Sequence, residues 1–439
     1  MHFHVLGVGP IGVLISHHLR MALNPKHSVV LIHKEIAQKK RAQKLGNVLT
    51  VERGGAEHTV SGFQSEVFNL RRQLSQDQQR HLEPHDAEAE SSSIPDASAP
   101  STEEIESLFV TLKAPAVEAA IRQLQPRLRR DSTIVLMHNG MGMYERLVRD
   151  IFRNPEHRPH FILASNDHGA ILKTYLHAIH TGMGSITFGI VPDPLGRDFE
   201  VGFSSPDAKP SLEDIMPPDE ESERYSSLRN TVAVLSSMDG LNTSWKPISH
   251  VLTAMKRKLV VNAVINPLTA LMGCRNGDIF PTQAALRISS RICSEAAKVF
   301  EADYHQGQSP DAPWEALRVG PNDMNDFPAA LRREALEQEV QRVAYNTAGN
   351  ISSMLGDVQK GKATEIDFMN GYLLQMGSTY KVQMPATAML LNLIKMRTDI
   401  PINTSLLGIS PGSDQKHERY VPVTQQVLDK ALGRKHPWG

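Results

Sequence analysis

The first stretch of the chain constrains the fold most. A short apolar strand leads into Gly7-Val-Gly-Pro-Ile-Gly12 and then into a helical pattern, and a second apolar strand follows at residues 28–33. In such a GxGxxG turn Gly7 allows the tight turn, Gly9 lets backbone amides approach a pyrophosphate, and Gly12 lets the helix pack on the strand. This order predicts an α/β Rossmann domain, a doubly wound fold, at the N-terminus. The cofactor-binding turn would consist of Gly7, Val8, Gly9, Pro10, Ile11 and Gly12.

The residues that follow the second strand bear on which dinucleotide binds. NAD sites usually carry an acidic residue there, which accepts hydrogen bonds from the ribose hydroxyls, whereas a 2′-phosphate favours a cation. The chain reads His33-Lys34-Glu35, with more cations at residues 39–41. We therefore predict NADPH, with Lys34 as the leading phosphate contact. Two alternatives stay open: a solvated basic helix start, and NAD held through Glu35.

Two later strands of the same half end in polar turns. Residues 108–112 lead into Lys113, and residues 133–137 lead into His138 and Asn139. The carboxyl ends of the strands are the edge where ligands bind in open parallel sheets. We therefore expect Lys113 and Asn139 beside the nicotinamide end of the cofactor. Residues 161–201 look β-rich, and we interpret His168 within them as a structural histidine rather than a substrate contact.

Changes in composition indicate the domain organisation. A chain of 439 residues is long enough for about two to three domains. Stretches at about 63–106 and 202–228 include polar, acidic or proline-rich runs, which predict disordered surface insertions. A boundary at Trp245 divides an NADP-binding Rossmann domain, residues 1–245, from a helical catalytic and substrate domain, residues 246–439. We expect an exposed tail from about residue 404 to residue 439.

Charge and cysteine usage exclude several classes of protein. Lys and Arg number 47 against 48 Asp and Glu, so no strong charge favours nucleic acid or a membrane surface. No apolar run approaches the roughly 20 residues that span a bilayer. Cys274 and Cys293 form no disulfide framework and show no metal-ligand spacing. Since the first strand begins at about Phe3, we expect no targeting segment, and hence a soluble cytoplasmic protein without a metal site.

A polar stripe marks the helical half. Lys258, Asn262 and Asn266 recur at every fourth residue and therefore stack on one face of a helix. Apolar residues on the other sides predict that this helix is mostly buried. A cation and two amides are thus held on a buried helix. The alternative is that Lys258 belongs to a solvated cluster with Lys256 and Arg257, while neighbours satisfy both asparagines.

Glu365 is a candidate acidic residue. Thr364 and Asp367 have the spacing of a capping box, which predicts that Glu365 lies in the first turn of a helix. The helix dipole alone also favours a carboxylate at such a position. The local pattern therefore leaves a structural and a functional interpretation of Glu365 open.

Five segments, together with the glycine turn, closely resemble the ketopantoate reductase family and occur in the family's order. They are Thr111–Ala114, His138–Gly142, Lys258–Ala270, Asn350–Leu355 and Thr364–Asp367. The resemblance covers nearly the whole chain apart from the two insertions and the tail. The chain departs from the family at Pro10, where many members have a small residue, and it is longer than compact members.

The resemblance implies a Rossmann domain and an all-α C-terminal domain with the active site in the cleft between them. The implied activity is NADPH-dependent reduction of 2-dehydropantoate (ketopantoate) to (R)-pantoate, a step toward pantothenate and coenzyme A. It makes Lys258 the proton donor and Glu365 a second catalytic residue. The implied substrate-pocket residues are Asn262, Asn266, Asn276, Asn350 and Ser353. The implied cofactor residues are Gly7, Gly9, Gly12, Lys34, Lys113 and Asn139.

The chemistry of a ketone reduction agrees with these roles. Hydride addition leaves negative charge on the carbonyl oxygen, so the site needs a proton donor and oriented hydrogen-bond donors. Lys258 can serve as both, and Glu365 can steady its ammonium by a charge-assisted hydrogen bond. Two alternatives stay open: an NADP-dependent reductase of another 2-keto acid, and a non-catalytic dinucleotide-binding interaction protein. The expected partner is a small keto acid, and a homodimer is left open.

Overall fold

The computed structural model describes residues 1–68, 101–203, 210–216, 222–306 and 327–400. Residues 1–398 form one compact unit, whose N-terminal part holds two β-sheets with flanking helices and whose C-terminal part is helical. The strands are β1 (His2–Leu6), β2 (Ser28–His33), β3 (Leu49–Arg53), β4 (Ala56–Val60), β5 (Phe63–Val67), β6 (Ser107–Val110), β7 (Thr133–Leu136), β8 (His160–Asn166), β9 (Gly169–Thr174), β10 (His177–Gly182), β11 (Ile186–Ile190) and β12 (Thr243–Trp245). The helices are α1 (Pro10–Ala22), α2 (Ile36–Lys44), α3 (Ala114–Leu124), α4 (Met143–Asp150), α5 (Leu212–Ile215), α6 (Glu223–Ser236), α7 (Ile248–Met272), α8 (Gln283–Gln306), α9 (Arg333–Asn346), α10 (Ser353–Gln359), α11 (Asn370–Thr379) and α12 (Pro385–Asp399).

The larger sheet has eight strands in the order β12-β11-β8-β7-β6-β1-β2-β5. Neighbouring strands run parallel from β5 to β8, and β11 runs antiparallel to β8. The order reverses at β1, which lies between β2 and β6, and such a reversal opens a ligand crevice at the carboxyl ends of the strands. The glycine turn, Lys113 and Asn139 follow β1, β6 and β7 at this edge. The doubly wound fold is confirmed.

A smaller sheet is formed by two hairpins in the order β4-β3-β10-β9. The β3–β4 hairpin follows α2, and the β9–β10 hairpin lies between β8 and β11, with β10 parallel to β3. Helix α1 contacts this sheet as well as the larger one. The predicted β-rich character of residues 161–201 is therefore confirmed.

The prediction of a disordered insertion at about 63–106 is wrong at both ends. Phe63–Val67 is β5, which pairs with β2 at the edge of the larger sheet, and Ile105 is almost fully buried. A strand with one covered face normally alternates between apolar and polar residues, and the three consecutive polar residues 64–66 break that pattern in the sequence. The part of this predicted insertion at residues 69–100 lies outside the described residues.

The second predicted insertion, at about 202–228, is also wrong in part. Helix α5 and the start of α6 fall within it, and α6 buries Tyr225, Leu228 and Val232 in the core of the N-terminal half. These residues have the three- and four-residue spacing of an amphipathic helix. Residues 204–209 and 217–221, and the predicted tail at 404–439, lie outside the described residues.

The helical half is organised around α7, which has 25 residues and is almost continuously buried from Leu259 to Ala270. Helices α8, α9 and α10 pack on it. The core of this half is formed by aliphatic and methionine side chains from all these helices. In the described ranges, none of the helices is long and apolar enough to cross a membrane.

Three histidines of the larger sheet are buried. Burial lowers the pKa of His4 to about 3 and those of His33 and His160 to about 4, against an ordinary value of 6.5. Because the unfolded chain takes up these protons first, stability present above pH 6.5 is lost as the pH falls toward 4. We expect the free energy of unfolding to drop by about 1.4 kcal/mol for each unit by which such a pKa is shifted.

Urea unfolding measured from about pH 7 to about pH 4 checks this expectation. The His4→Phe variant should show a shallower loss of stability with acid, since it lacks one of the titrating groups. His58→Ala is the matched control because His58 is exposed on β4. If the free energy of unfolding fell equally steeply with acid in wild type and in His4→Phe, the proposed contribution of the His4 pKa shift would be contradicted.

Candidate active site

The glycine turn between β1 and α1 is shaped by close backbone contacts. Gly7 has a φ of 101°, in the region that favours glycine, and its carbonyl accepts a hydrogen bond from Thr111 Oγ1 at 2.6 Å. A Cβ atom on Gly12 would lie 1.9 Å from the Gly7 carbonyl oxygen, whereas a Cβ on Gly9 would meet nothing within 4 Å. The turn is therefore tight on its inner side and open at Gly9.

Pro10 is the first residue of α1, and Gly9 is its N-cap. Proline is favoured at this position because its fixed φ suits the helix and its missing N–H had no helical partner to lose. Val8, Pro10 and Ile11 are half-buried. Proline is therefore compatible with this turn, although many members of the family that the chain resembles have a small residue here. The N-terminus of the helix still faces the crevice with free amides.

Lys34 follows the last residue of β2 and is exposed. Its backbone N–H donates to Gln38 Oε1 at 3.1 Å, at the start of α2. The neighbouring Glu35 is the N-cap residue of α2 and makes no side-chain capping bond. The Lys34 side chain is thus placed at the carboxyl end of β2, beside the crevice.

Lys258 reaches from α7 to the N-terminal half. Its ammonium donates a hydrogen bond to the backbone carbonyl of Asn166, the last residue of β8, and lies 3.6 Å from Asp167 Oδ1. About a quarter of the side chain, 26%, is exposed. Burial lowers the pKa of Lys258 below its ordinary value of 10.5, while the Asp167 and Glu365 carboxylates act to raise it. Lys258 is therefore not part of a solvated cluster.

The prediction that Glu365 lies in the first turn of a helix is wrong. Glu365 is the N-cap of a 3₁₀-helix, Ile366–Phe368, without a side-chain capping bond, and α11 begins only at Asn370. No capping box forms, because Thr364 is not the N-cap of this helix, and the Asp367 carboxylate pairs with Lys395 at 2.7 Å. A sequence can therefore have the Thr-x-x-Asp spacing without forming a capping box.

The Glu365 carboxylate is buried between the two halves. It accepts a hydrogen bond from the backbone N–H of Ala114, the first residue of α3, at 2.9 Å. Burial raises the pKa of Glu365 above 4.5, while the Ala114 amide, the charge of Lys113 and the Asn139 side chain oppose the rise. Glu365 is 4% exposed. The carboxylate thus lies at the carboxyl ends of β6 and β7.

Two further contacts join the halves at this point. Lys113 forms an ion pair with Asp357 of α10. The backbone N–H of Met141 donates to the carbonyl of Phe368 at 3.0 Å, and a Cβ on Gly140 would lie 2.4 Å from the same oxygen. The turns after β6 and β7 are therefore bound to the helical half by backbone and side chain alike.

The polar stripe on α7 is present, with Asn262 half-buried and Asn266 buried. Asn266 Nδ2 lies 3.7 Å from Met369 Sδ. Pro267 lies inside α7 and lacks the N–H that would bond the Ala263 carbonyl. Asn370 Nδ2 donates to that carbonyl at 3.1 Å. The helix continues through the proline because a side chain of α11 replaces the missing donor.

The other predicted pocket residues lie beyond the C-terminal end of α7. Asn276 is buried and donates from Nδ2 to Thr347 Oγ1 at 2.9 Å, and its backbone N–H donates to the Asn350 carbonyl at 3.1 Å. Asn276 Oδ1 is buried without a hydrogen-bond partner among the described residues. Asn350 and Ser353 are exposed, and Ser353 begins α10. The structure brings Asn276 and Asn350 together through the backbone.

Sequence reasoning missed three contributors to this region: Asn166, Asp167 and Asp357. Asn166 ends β8 and Asp167 follows it at the ligand edge of the sheet, so the rule that identified Lys113 and Asn139 could have found them. Asp357 pairs with a residue 244 positions away in the chain. No local signal in the sequence indicates that pairing.

Two protein-family models match the chain. The model described as "Ketopantoate reductase PanE/ApbA" matches residues 3–193, and the one described as "Ketopantoate reductase PanE/ApbA C terminal" matches residues 250–398. A 2-dehydropantoate 2-reductase of Vibrio cholerae is 29% identical over 288 residues, which cover 66% of this chain and 76% of that protein. A probable 2-dehydropantoate 2-reductase of Schizosaccharomyces pombe is 22% identical over 395 residues, which cover 90% and 95%.

Solved structures show the same fold. A ternary structure of D-mandelate dehydrogenase with NADH and anilino(oxo)acetate has a TM-score of 0.61 at 17% identity, and covers 91% of this chain and 99% of that one. A probable 2-dehydropantoate 2-reductase from Bacillus subtilis has a TM-score of 0.55 at 21% identity, with 90% and 100% covered. An N-terminal α/β domain followed by a helical domain is therefore shared across these proteins.

Proposed function

The chain belongs to the ketopantoate reductase family and is an oxidoreductase, and from this premise we propose that it reduces 2-dehydropantoate to (R)-pantoate with NADPH. The observation that carries the proposal is the position of Lys258. A cation from the helical half lies at the ligand edge of the Rossmann sheet, partly exposed and hydrogen-bonded to the end of β8. Glu365 and Asn139 meet at the same edge. The product would feed pantothenate and coenzyme A synthesis.

The residues of the glycine turn fit a dinucleotide. The turn is open at Gly9, and α1 begins beside it with a proline and without a side-chain cap, so its amides are free to hold phosphate oxygens. Lys34 is exposed at the carboxyl end of β2, where a 2′-phosphate would be read. We assign Gly7, Val8, Gly9, Pro10, Ile11, Gly12, Lys34, Lys113 and Asn139 to the cofactor side. A reduced nicotinamide bound here would supply the hydride.

Lys258 would act on the carbonyl oxygen of the substrate. As the carbonyl carbon accepts the hydride, its oxygen gains negative charge, and the Lys258 ammonium gives it a proton to form the alcohol. The amine that remains takes a proton from solvent through the exposed quarter of the side chain. A lowered pKa makes the ammonium a better proton donor, and burial lowers the pKa of Lys258. One proton is thus delivered for each hydride.

Glu365 and the amides would orient the reactants. The carboxylate adds to the field that keeps Lys258 charged and is fixed by the Ala114 amide. Amide and hydroxyl side chains bind the carboxylate and the hydroxyl of a small substrate without introducing further charge. The buried Oδ1 of Asn276 has no partner among the described residues and could accept a hydrogen bond from the substrate hydroxyl. We assign Asn262, Asn266, Asn276, Asn350 and Ser353 to the substrate side. Glu365 would be the second catalytic residue.

An NADPH oxidation assay with a panel of 2-keto acids tests the proposal. We expect turnover with ketopantoate at a kcat/KM well above that for the other keto acids, including the keto acid of mandelate. Preference for another keto acid would support a keto acid reductase but would refute ketopantoate as its substrate. Absence of turnover with every keto acid, in a protein that binds NADPH, would favour a non-catalytic dinucleotide-binding protein.

Lys34 should determine the preference for NADPH over NADH. Lys34→Ala removes a charged contact to the 2′-phosphate and is expected to raise the KM for NADPH by about tenfold or more while leaving that for NADH unchanged. Lys26→Ala is the control, because Lys26 is exposed before the opposite end of β2. Steady-state kinetics with both cofactors measure the effect. An equal change for NADH would show that Lys34 does not read the phosphate.

The pH profile should report the titration of Lys258. Only the protonated amine donates, so kcat for reduction should fall as the pH rises through a pKa that lies below 10.5. Asp167→Asn removes a carboxylate that raises this pKa, and the alkaline limb should move to lower pH. We would measure kcat at saturating substrate and cofactor across this limb. An alkaline limb that stays in place in Asp167→Asn would argue against Lys258 as its source.

A further inference from the structure

Two buried histidines lie directly behind the turn that contacts Lys258. His168 follows β8 by two residues, and His180 is on β10. Both are almost fully buried, at 7% exposed. His168 Nδ1 lies 3.0 Å from His180 Nε2, and His168 Nε2 lies 2.9 Å from the Leu241 carbonyl oxygen. His168 is thus a bonded internal residue, as expected, and it has a defined hydrogen-bond geometry.

The backbone fixes which histidine donates. The N–H of Gly184 points at His168 Nδ1 at 3.1 Å, so this nitrogen must accept and carries no proton. The proton of the neutral His168 ring is then on Nε2, where it is donated to the Leu241 carbonyl. Because two unprotonated nitrogens would repel each other at 3.0 Å, His180 Nε2 carries a proton and shares the Nδ1 acceptor of His168 with the Gly184 N–H. The pair therefore has a direction, from the β9–β10 hairpin toward β8.

The same network fixes the turn that receives Lys258. Asn166 Oδ1 accepts from the backbone N–H of His168 at 3.0 Å, and the Asp167 N–H donates to the Ser185 carbonyl at 3.0 Å. Gly184 packs so closely that a Cβ there would lie 2.5 Å from the carbonyl carbon of Asp167. The carbonyl of Asn166 and the carboxylate of Asp167 are the two groups of this turn that hold the Lys258 ammonium.

We infer that His180 and His168 are positioning residues for Lys258: the hydrogen bond from His180 to His168 holds the Asn166–Asp167 turn where its carbonyl and carboxylate hold the ammonium. The inference rests on the proposed function for its effect on turnover, but its effect on Lys258 itself is independent of any substrate. A pair that only filled space would leave Lys258 unaffected when replaced by an apolar side chain of similar size.

His180→Leu and His180→Gln separate these cases. Leucine keeps volume but cannot donate, whereas the side-chain amide of glutamine can place an N–H donor near the position of Nε2. We expect kcat to fall by about tenfold in His180→Leu, with NADPH affinity unchanged, and to recover to within about twofold of wild type in His180→Gln. Thr231→Val is the control for a lost buried hydrogen bond: Thr231 bonds Ser107 and Ser227 and lies away from the turn.

A second readout follows Lys258 without turnover. The pKa of Lys258 can be measured by NMR on protein whose lysines carry ¹³C-methyl groups, with the Lys258→Arg variant used to assign the signal. The titratable or charged groups that act on Lys258 are Asp167, Glu365 and His138, and those that act on His180 are His168, His18 and Arg53. His180→Leu loosens the acceptors that favour the charged amine, so the Lys258 pKa should fall below its wild-type value and return in His180→Gln.

The outcomes distinguish the two proposals. If wild type reduces no keto acid, the proposed function fails, and the Lys258 titration still decides the positioning role. An unchanged or higher Lys258 pKa in His180→Leu, or equal losses of kcat in His180→Leu, His180→Gln and Thr231→Val, would overturn it. Should His180→Leu fail to fold, His168→Gln gives the same test, because it keeps a donor for the Leu241 carbonyl and removes the Nδ1 acceptor.

Discussion

Lys258→Ala is expected to lower kcat for keto acid reduction by about a thousandfold while leaving NADPH affinity within about twofold of wild type. The ammonium is the cation that α7 extends to the end of β8, and alanine leaves neither a proton donor nor a charge to stabilise the developing alkoxide. Because alanine also removes a partly buried charge, stability should not fall in proportion to activity. Steady-state NADPH oxidation and cofactor titration by fluorescence measure the two quantities.

Arg257→Ala is the matched control for this prediction. Arg257 is the adjacent cation on α7, but its guanidinium pairs with Glu339 of α9 at 3.1 Å and is directed away from β8. Its replacement should leave kcat within about twofold of wild type. If Lys258→Ala retained a kcat similar to that of Arg257→Ala, the proton would have to come from another group, and the assignment of Lys258 would be refuted.

Gly12→Ala should abolish cofactor binding and lower the melting temperature. The added Cβ would lie 1.9 Å from the Gly7 carbonyl oxygen, which belongs to the turn itself, and 2.8 Å from Thr111 Oγ1, which directly follows β6. Relief of such a clash must move α1 away from β1, at a cost of about 1–3 kcal/mol or more. The turn would then no longer present its amides, and we expect the Kd for NADPH to rise by at least about a hundredfold.

Gly9→Ala tests the effect of the turn on cofactor binding separately from its effect on stability. A Cβ on Gly9 meets nothing within 4 Å, so the melting temperature should stay at its wild-type value. The same methyl group would stand where the pyrophosphate approaches the backbone, and the Kd for NADPH should rise by about tenfold. Wild-type affinity in Gly9→Ala, measured by calorimetry, would show that the dinucleotide does not lie over this turn.

Those features of the fold that depend on local spacing are predictable from the sequence. The glycine turn follows from the spacing of its glycines, β2 from a short apolar run, and α7 from the helical period of its polar and apolar residues, and the structure confirms all three elements. Strand β5 is not predictable in this way, because its three consecutive polar residues, 64–66, break the alternation. The short helix at residues 366–368 does not follow the capping-box rule, because its N-cap is Glu365 rather than Thr364.

The candidate site depends on pairings between the halves, and these explain what sequence reasoning missed. Lys258 and Glu365 are identifiable as residues, but their partners are a carbonyl at the end of β8 and an amide at the start of α3. Backbone groups of this kind leave no mark on side-chain composition. Asp357 is a side chain, but its partner Lys113 comes from the opposite half of the chain, and only the packed structure relates them.

Asn370 makes α7 dependent on another part of the molecule. The Ala263 carbonyl, left without a helical donor by Pro267, is satisfied by a side chain more than one hundred positions later, with a separation of 107 residues. The backbone hydrogen bonding of α7 is therefore incomplete when the helix is taken without α11. A designer who grafts its lysine and asparagines onto a new scaffold must either import an amide to serve that oxygen or replace the proline with a residue whose own N–H can donate to it.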